Sequence, residues 1–127
     1  MMNERQMLGR EGEAHAARFL ESRGYRIVAR NVRADRVEID LIVRRGRLLV
    51  FVEVKSRRTG AHGLAAEAVD DRKQRRLRRG AHAWLAANPA VARQTGERRF
   101  DVVTCLRNEA SAPDGARWSV EHWKAAF

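Results

Sequence analysis

A chain of 127 residues is long enough for one sheet with covering helices and too short for two ordinary domains. Its single cysteine, Cys105, excludes an internal disulfide and any cysteine-based metal cluster. The net charge of +10 is large for this length, and with only three lysines (Lys55, Lys73, Lys124) among 26 basic residues, arginine supplies nearly all of it. GC-rich codon usage accounts for arginine over lysine but not for the surplus of positive charge. That surplus fits a surface for a polyanion, because arginine makes bidentate, permanently charged phosphate contacts. Nucleic acid is therefore the expected partner, although a protein that only binds RNA would carry the same balance. No apolar stretch approaches a membrane span, and no signal peptide precedes the first helical pattern, so no membrane and a cytoplasmic location are expected.

In chain order, Asn3 to Arg23 reads as an amphipathic helix with Leu8, Gly12, Ala16, Phe19 and Leu20 on one face, closed by Gly24. Tyr25 to Arg30 alternates as a first strand. Val37–Val43 and Leu48–Lys55 follow as strands two and three around the polar turn Arg44-Arg45-Gly46-Arg47. Ser56 to Leu64 is a polar, glycine-containing loop. A long helix spans Asp70 to Ala87 with Val69, Leu77, Ala81, Trp84 and Leu85 as its apolar stripe, and Asn88-Pro89 stops it. Arg98 to Leu106 is a fourth strand, Asn108 to Gly115 a loop, and Trp118, Val120 and Trp123 mark a last strand. The order α-β-β-β-α-β-β predicts a single α/β domain over 1–127, with a mixed sheet of about five strands flanked by helices. Cys105, in an apolar run, reads as a buried small hydrophobe. His15, His62, His82 and His122 have no ligand spacing and read as incidental.

The charged residues inside the second and third strands carry the chemistry. Glu53 and Lys55 alternate onto one face, about 6–7 Å apart along the strand. Charges in such apolar strands cost free energy unless compensated. Asp40, Glu53 and Lys55 could compensate one another or hold a divalent metal, so D-x12-E-V-K suggests metal-dependent cleavage of phosphodiesters. A two-residue loop at Arg45-Gly46 sets Asp40 opposite Phe51 with Glu53 diagonal; a four-residue loop sets Asp40 directly opposite Glu53. A slip of one residue would send Asp40 to the other face. Glu38 shares a face with Asp40 and could approach the metal or bind an arginine. Arg57 and Arg58 leave the site on the following loop. Arg72, Lys73, Arg75 and Arg76 stand on the second helix as a phosphate-tracking surface.

The runs Gly9-Arg10-Glu11-Gly12-Glu13-Ala14, Gly24-Tyr25-Arg26-Ile27, Arg30-Asn31, Glu38-Ile39-Asp40-Leu41-Ile42, Phe51-Val52-Glu53-Val54-Lys55, Glu67-Ala68-Val69, Lys73-Gln74-Arg75-Arg76-Leu77 and Arg99-Phe100-Asp101-Val102-Val103 resemble the YraN-like bacterial family. That family is endonuclease-like and related to archaeal Holliday junction resolvases, within the PD-(D/E)XK nuclease superfamily. The resemblance runs from Gly9 to Phe127. It implies a restriction-endonuclease-like fold, with Asp40 and Glu53 as metal-binding acids and Lys55 as the superfamily's lysine. It also implies Glu13 as a helix-borne metal-binding glutamate and Gln74 as an accessory glutamine. Two departures concern loop shape. Val37 stands where a glycine is expected before Glu38, and His62-Gly63-Leu64-Ala65-Ala66 lacks the usual Phe-Gly and proline.

The expected function is that of a Mg²⁺- or Mn²⁺-dependent endonuclease on DNA, with branched or flapped DNA among the candidate substrates. The alternative is an adaptor that binds nucleic acid or a partner without turnover. A monomer is favoured over a homodimer, because no long apolar stripe is left after the core is assigned.

Overall fold

Asn3 caps the first helix through a reciprocal pair, its side chain accepting from the Gln6 amide while Gln6 caps the Asn3 N–H. The helix, α1 (Glu4–Ser22), ends at Arg23, and Gly24 takes the left-handed conformation at φ +89° that follows. The computed structural model describes residues 1–58, 69–108 and 117–127. Of the predicted loop from Ser56 to Leu64, Ser56, Arg57 and Arg58 instead continue the third strand and the rest lies outside the described residues, as does the predicted loop from Asn108 to Gly115 apart from Asn108.

After α1 come β1 (Arg26–Ala34), β2 (Val37–Arg45) and β3 (Leu48–Arg58), then α2 (Asp71–Ala87), α3 (Pro89–Gln94), β4 (Glu97–Arg107) and β5 (Trp118–Trp123). The five strands form one sheet in the order β1-β2-β3-β4-β5, parallel only between β3 and β4. This is the predicted mixed sheet, with α2 and α3 making the crossover that parallel strands need. The short α3 was not expected. Pro89 cannot continue α2, but as a first-turn residue it starts a new helix.

The helices cover opposite faces. On β3 the alternation is clean: Val50 and Val52 pack with Ala16, Ala17 and Leu20 of α1, whereas Leu49 and Phe51 pack with Ala81 and Trp84 of α2. Two glycines set how closely the helices approach. A Cβ on Gly12 would stand 1.9 Å from Ser56 Oγ, and one on Gly80 would stand 2.8 Å from Val37 Cβ. Val37 therefore fits, where a glycine was expected, because Gly80 leaves room for it.

The β2–β3 turn differs from the two-residue reading of the sequence. Arg45 pairs with Leu48, so the turn residues are Gly46-Arg47, with Gly46 at φ +60°. Asp40 therefore does not face Phe51, whose partner is Ile42. The shift follows from the one residue able to enter a left-handed turn without strain. The ladder runs to Leu41↔Val52, which sets Asp40 across from Glu53. The first hairpin turns at Asp35-Arg36, both at positive φ, and an Asp35–Arg79 ion pair of 2.8 Å ties it to α2.

No helix among the described residues is long and apolar enough to cross a membrane. Cys105 is fully buried, and burial pushes its thiol up to about 12, so it stays protonated at neutral pH.

Candidate active site

The site forms where β2 and β3 part. Their ladder ends at Leu41↔Val52, and the next amide on that edge, Val54 N–H, donates to Asp40 Oδ2 at 2.8 Å. The Asp40 side chain thus replaces a backbone acceptor and turns its carboxylate into the opening. Ile39 and Ile42 both pack in the cluster under α2, three residues apart, so β2 does not alternate strictly through Asp40. Glu53, on the regular part of β3, keeps the face of Leu49 and Phe51 and is buried. Both carboxylates border a cavity of about 220 Å³, together with Glu38, Lys73 and Arg76.

Two ammonium groups converge on Glu53 Oε1. Lys55 Nζ lies at 3.3 Å and Lys73 Nζ at 2.7 Å. Lys55 comes from two positions along β3. Lys73 comes from the first turn of α2, where Asp70 fixes the backbone by accepting from the Lys73 amide. The sequence reading placed Lys73 on a solvent-facing phosphate surface; the fold turns it inward onto a buried acid.

Burial, and then the charge of Glu53, pushes Asp40 up to about 7. The Val54 amide and Lys73 oppose that rise without cancelling it. Burial, reinforced by Lys73, lowers the Lys55 ammonium from its usual range. Burial also works against the Lys73 charge, but hydrogen bonding and attraction from Glu53 and Asp40 leave it raised.

Glu13 approaches from α1. Burial raises its carboxyl, a hydrogen bond from Asn31 works against this, and the charges of Glu38 and Glu53 add to it. Asn31 sits in β1 at φ +49°, a conformation that asparagine tolerates better than most side chains. The sequence reading gave Asn31, one residue beyond the predicted first strand, no role; its one signal was the Arg30-Asn31 run of the family resemblance. Glu13 and Lys55 also line a wider cavity of about 700 Å³ on the α1 side, with Ser56, Arg57 and Arg58. Ser56 Oγ is buried there without a hydrogen-bond partner among the described residues.

Gln74 is half-buried, and its amide nitrogen donates to the Val69 carbonyl at 3.0 Å, holding the approach to α2. Lys73, one residue earlier, is the α2 residue that reaches Glu53. Arg76 borders the carboxylate cavity, and Arg72 and Arg75 are exposed on α2. Arg58 pairs with Glu4 at 3.0 Å.

His122, read from the sequence as incidental, belongs to a separate buried network. Its Nε2 lies 2.6 Å from Asp101 Oδ2, and Asp101 also accepts two bonds from Arg99 and one from the Ala125 amide. Burial opposes the Asp101 charge, but His122 and Arg99 hold its carboxyl below the usual range. A lone histidine in a strand carries no mark of this, because Asp101 is twenty-one residues away.

A buried carboxylate, Glu53, beside a half-buried one, Asp40, is the donor chemistry that a hard divalent cation takes, and magnesium keeps its waters, so two protein acids suffice. The raised Asp40 carboxyl beside Glu53 fits such a site. Among the described residues no three acidic, histidine or cysteine side chains form a ready-made metal shell, so Glu13 is not part of a preassembled triad.

These features define a mixed α/β domain with a carboxylate–lysine cluster at the splayed end of its second and third strands. The chain belongs to uncharacterised protein family UPF0102, whose model matches residues 12–105. It is 43% identical over 128 residues to a UPF0102 protein of Chlorobaculum tepidum, covering 99% of this chain and 95% of that one. It is 44% identical over 123 residues to one from Anaeromyxobacter dehalogenans, covering 97% and 85%. Over 97 residues it is 48% identical to the UPF0102 protein YraN of Salmonella arizonae, covering 76% and 73%.

Proposed function

We propose that this protein is a restriction-endonuclease-like, Mg²⁺- or Mn²⁺-dependent enzyme that hydrolyses phosphodiester bonds in DNA. The observation that carries the reading is the carboxylate pair Asp40 and Glu53 held with Lys55 and Lys73 at the opening of β2 and β3. A buried cluster of this kind is costly to maintain, and clefts holding such perturbed groups are where catalysis is found. The net charge of +10 supports a polyanionic substrate.

In this reading Asp40 and Glu53 would hold the metal, with Glu13 and Asn31 behind them. Bound metal would supply Lewis-acid charge at the scissile phosphate and lower the pKa of a bound water. Lys55, whose ammonium is already easier to deprotonate than usual, orients the attacking water and offsets the charge that builds on the phosphate oxygens. Lys73 holds Glu53 in place until the site fills and then offers a second cation to substrate phosphate. Arg76 and the exposed Arg72 and Arg75 follow the backbone along α2, and Arg57 and Arg58 follow it from β3.

The test incubates purified protein with branched, flapped, single-stranded and duplex DNA plus Mg²⁺ or Mn²⁺. Wild type should cleave, Asp40→Ala should not, and Lys55→Ala should bind DNA yet cleave on the order of 100-fold more slowly. Cleavage by Asp40→Ala at the wild-type rate would sink the reading.

One observation favours a second reading, an adaptor that binds nucleic acid without turnover. Lys73 already satisfies Glu53 at 2.7 Å, as an internal counterion would. Calorimetric titration with Mg²⁺ and Mn²⁺ separates the two, since only the enzyme requires the cluster to exchange Lys73 for metal.

A further inference from the structure

A third pocket, of about 410 Å³, opens at the other end of α1, lined by Phe19, Arg23, Tyr25, Arg45, His122 and Lys124. None of these residues is acidic. Arg23, the cap of α1, stands ten positions beyond Glu13, about 15 Å along the helix axis, so the pocket is distinct from the carboxylate cluster.

Its cations are held in place. The Arg23 guanidinium lies 4.8 Å over the Phe19 ring, and that of Arg45 lies 4.5 Å over the Tyr25 ring. Arg45 also donates to the Arg23 carbonyl, which offsets part of the negative potential at the end of α1. Arg99 donates to the Tyr25 hydroxyl oxygen at 2.7 Å, leaving the hydroxyl proton to be donated elsewhere. Asp101, the acid behind this wall, is already engaged by Arg99 and His122. Arg23, Arg45 and Lys124 therefore present charge that no lining acid neutralises, and two of the three are stacked on aromatic faces rather than free to swing.

We propose that this pocket is a second phosphate-binding site, which takes a backbone phosphate of the nucleic acid away from the point of cleavage. The assignment rests on the nucleic-acid reading above but uses none of its catalytic residues. Arginine is the side chain suited to it, since its planar fork matches two phosphate oxygens at once.

The experiment measures binding of a fluorescein-labelled duplex across a salt series without divalent metal. It compares wild type, Arg23→Gln/Arg45→Gln, and a charge-matched control, Arg33→Gln/Arg93→Gln, whose arginines are exposed elsewhere on β1 and α3. Melting curves establish that each variant is folded. The pocket variant should lose about tenfold in affinity and flatten the salt dependence by about one to two in log–log slope, with the control changed far less. Equal losses in pocket variant and control would reduce the effect to net charge and overturn the site. Unchanged DNA binding by the pocket variant would overturn it too. Calorimetry with inorganic phosphate would then tell whether the pocket takes a free phosphate instead. A wild type that binds no DNA at any salt would overturn both this site and the nucleic-acid reading, whereas a pocket variant that binds like wild type leaves that reading standing.

Discussion

Replacing Asp40 with asparagine should stabilise the metal-free protein at neutral and alkaline pH, which is the reverse of what most buried polar substitutions do. In the folded chain burial, and then the Glu53 charge, raises this carboxyl from an ordinary 3.8 to about 7. An acid raised by folding binds its proton more tightly in the native state, so the sign is destabilising once the unfolded chain ionises. Below about pH 4 both states are protonated and nothing is lost; between about pH 4 and 7 stability falls; above about pH 7 the loss is complete. The gap corresponds to at most about 4 kcal/mol. Asparagine keeps an oxygen that can accept from the Val54 amide, so the hydrogen bond at 2.8 Å survives while the charge does not. For a chain of this size about 3–5 °C of melting temperature accompanies each kcal/mol, giving a rise on the order of 10 °C at about pH 8. The assay is circular-dichroism melting in EDTA at steps from about pH 4 to 8, with the wild-type and Asp40→Asn curves close at the acid end and diverging upward. Curves that stay parallel across that range, or a variant less stable at the alkaline end, would refute the electrostatic account of the site.

Two further substitutions test the packing that delivers the site. Gly12→Ala puts a Cβ where Ser56 Oγ lies 1.9 Å away. It should cost about 1–3 kcal/mol in urea unfolding and, by lifting α1, move Glu13 and reduce any cleavage; an unchanged urea midpoint would show that the helix approach is looser than it looks. Asp101→Asn leaves Arg99 beside an uncharged partner in a fully buried position. The expected loss is about 3–5 kcal/mol near neutral pH. It should shrink on acidification, because the native Asp101 carboxyl is held below its usual range and its contribution vanishes as pH falls through that value. A loss independent of pH would mean that shape, not charge, holds this network.

Much of the architecture was legible because it is local. Asn3 and Gly24 bracket α1 by capping chemistry that depends on neighbours three or four residues away. The alternation of Val50, Phe51, Val52 and Glu53 fixes faces on β3 by the two-residue repeat of a strand, and Lys55 must then share a face with Glu53. The spacing of Asp40 from Glu53 likewise brought two acids within reach across one hairpin. What the sequence left open was settled by contacts between distant segments. The β2–β3 register is the exception, set locally by Gly46 at positive φ, and either reading of the turn puts Asp40 and Glu53 on one face. Lys73 faces Glu53, and Gln74 beside it bonds to Val69, because α2 is rotated by how closely Gly80 can approach Val37. Asn31 and His122 became meaningful only when Glu13 and Asp101 arrived beside them from other elements. Local backbone preferences write the elements, whereas the helix rotations that complete the carboxylate–lysine cluster come from close packing at glycines, which no local pattern encodes.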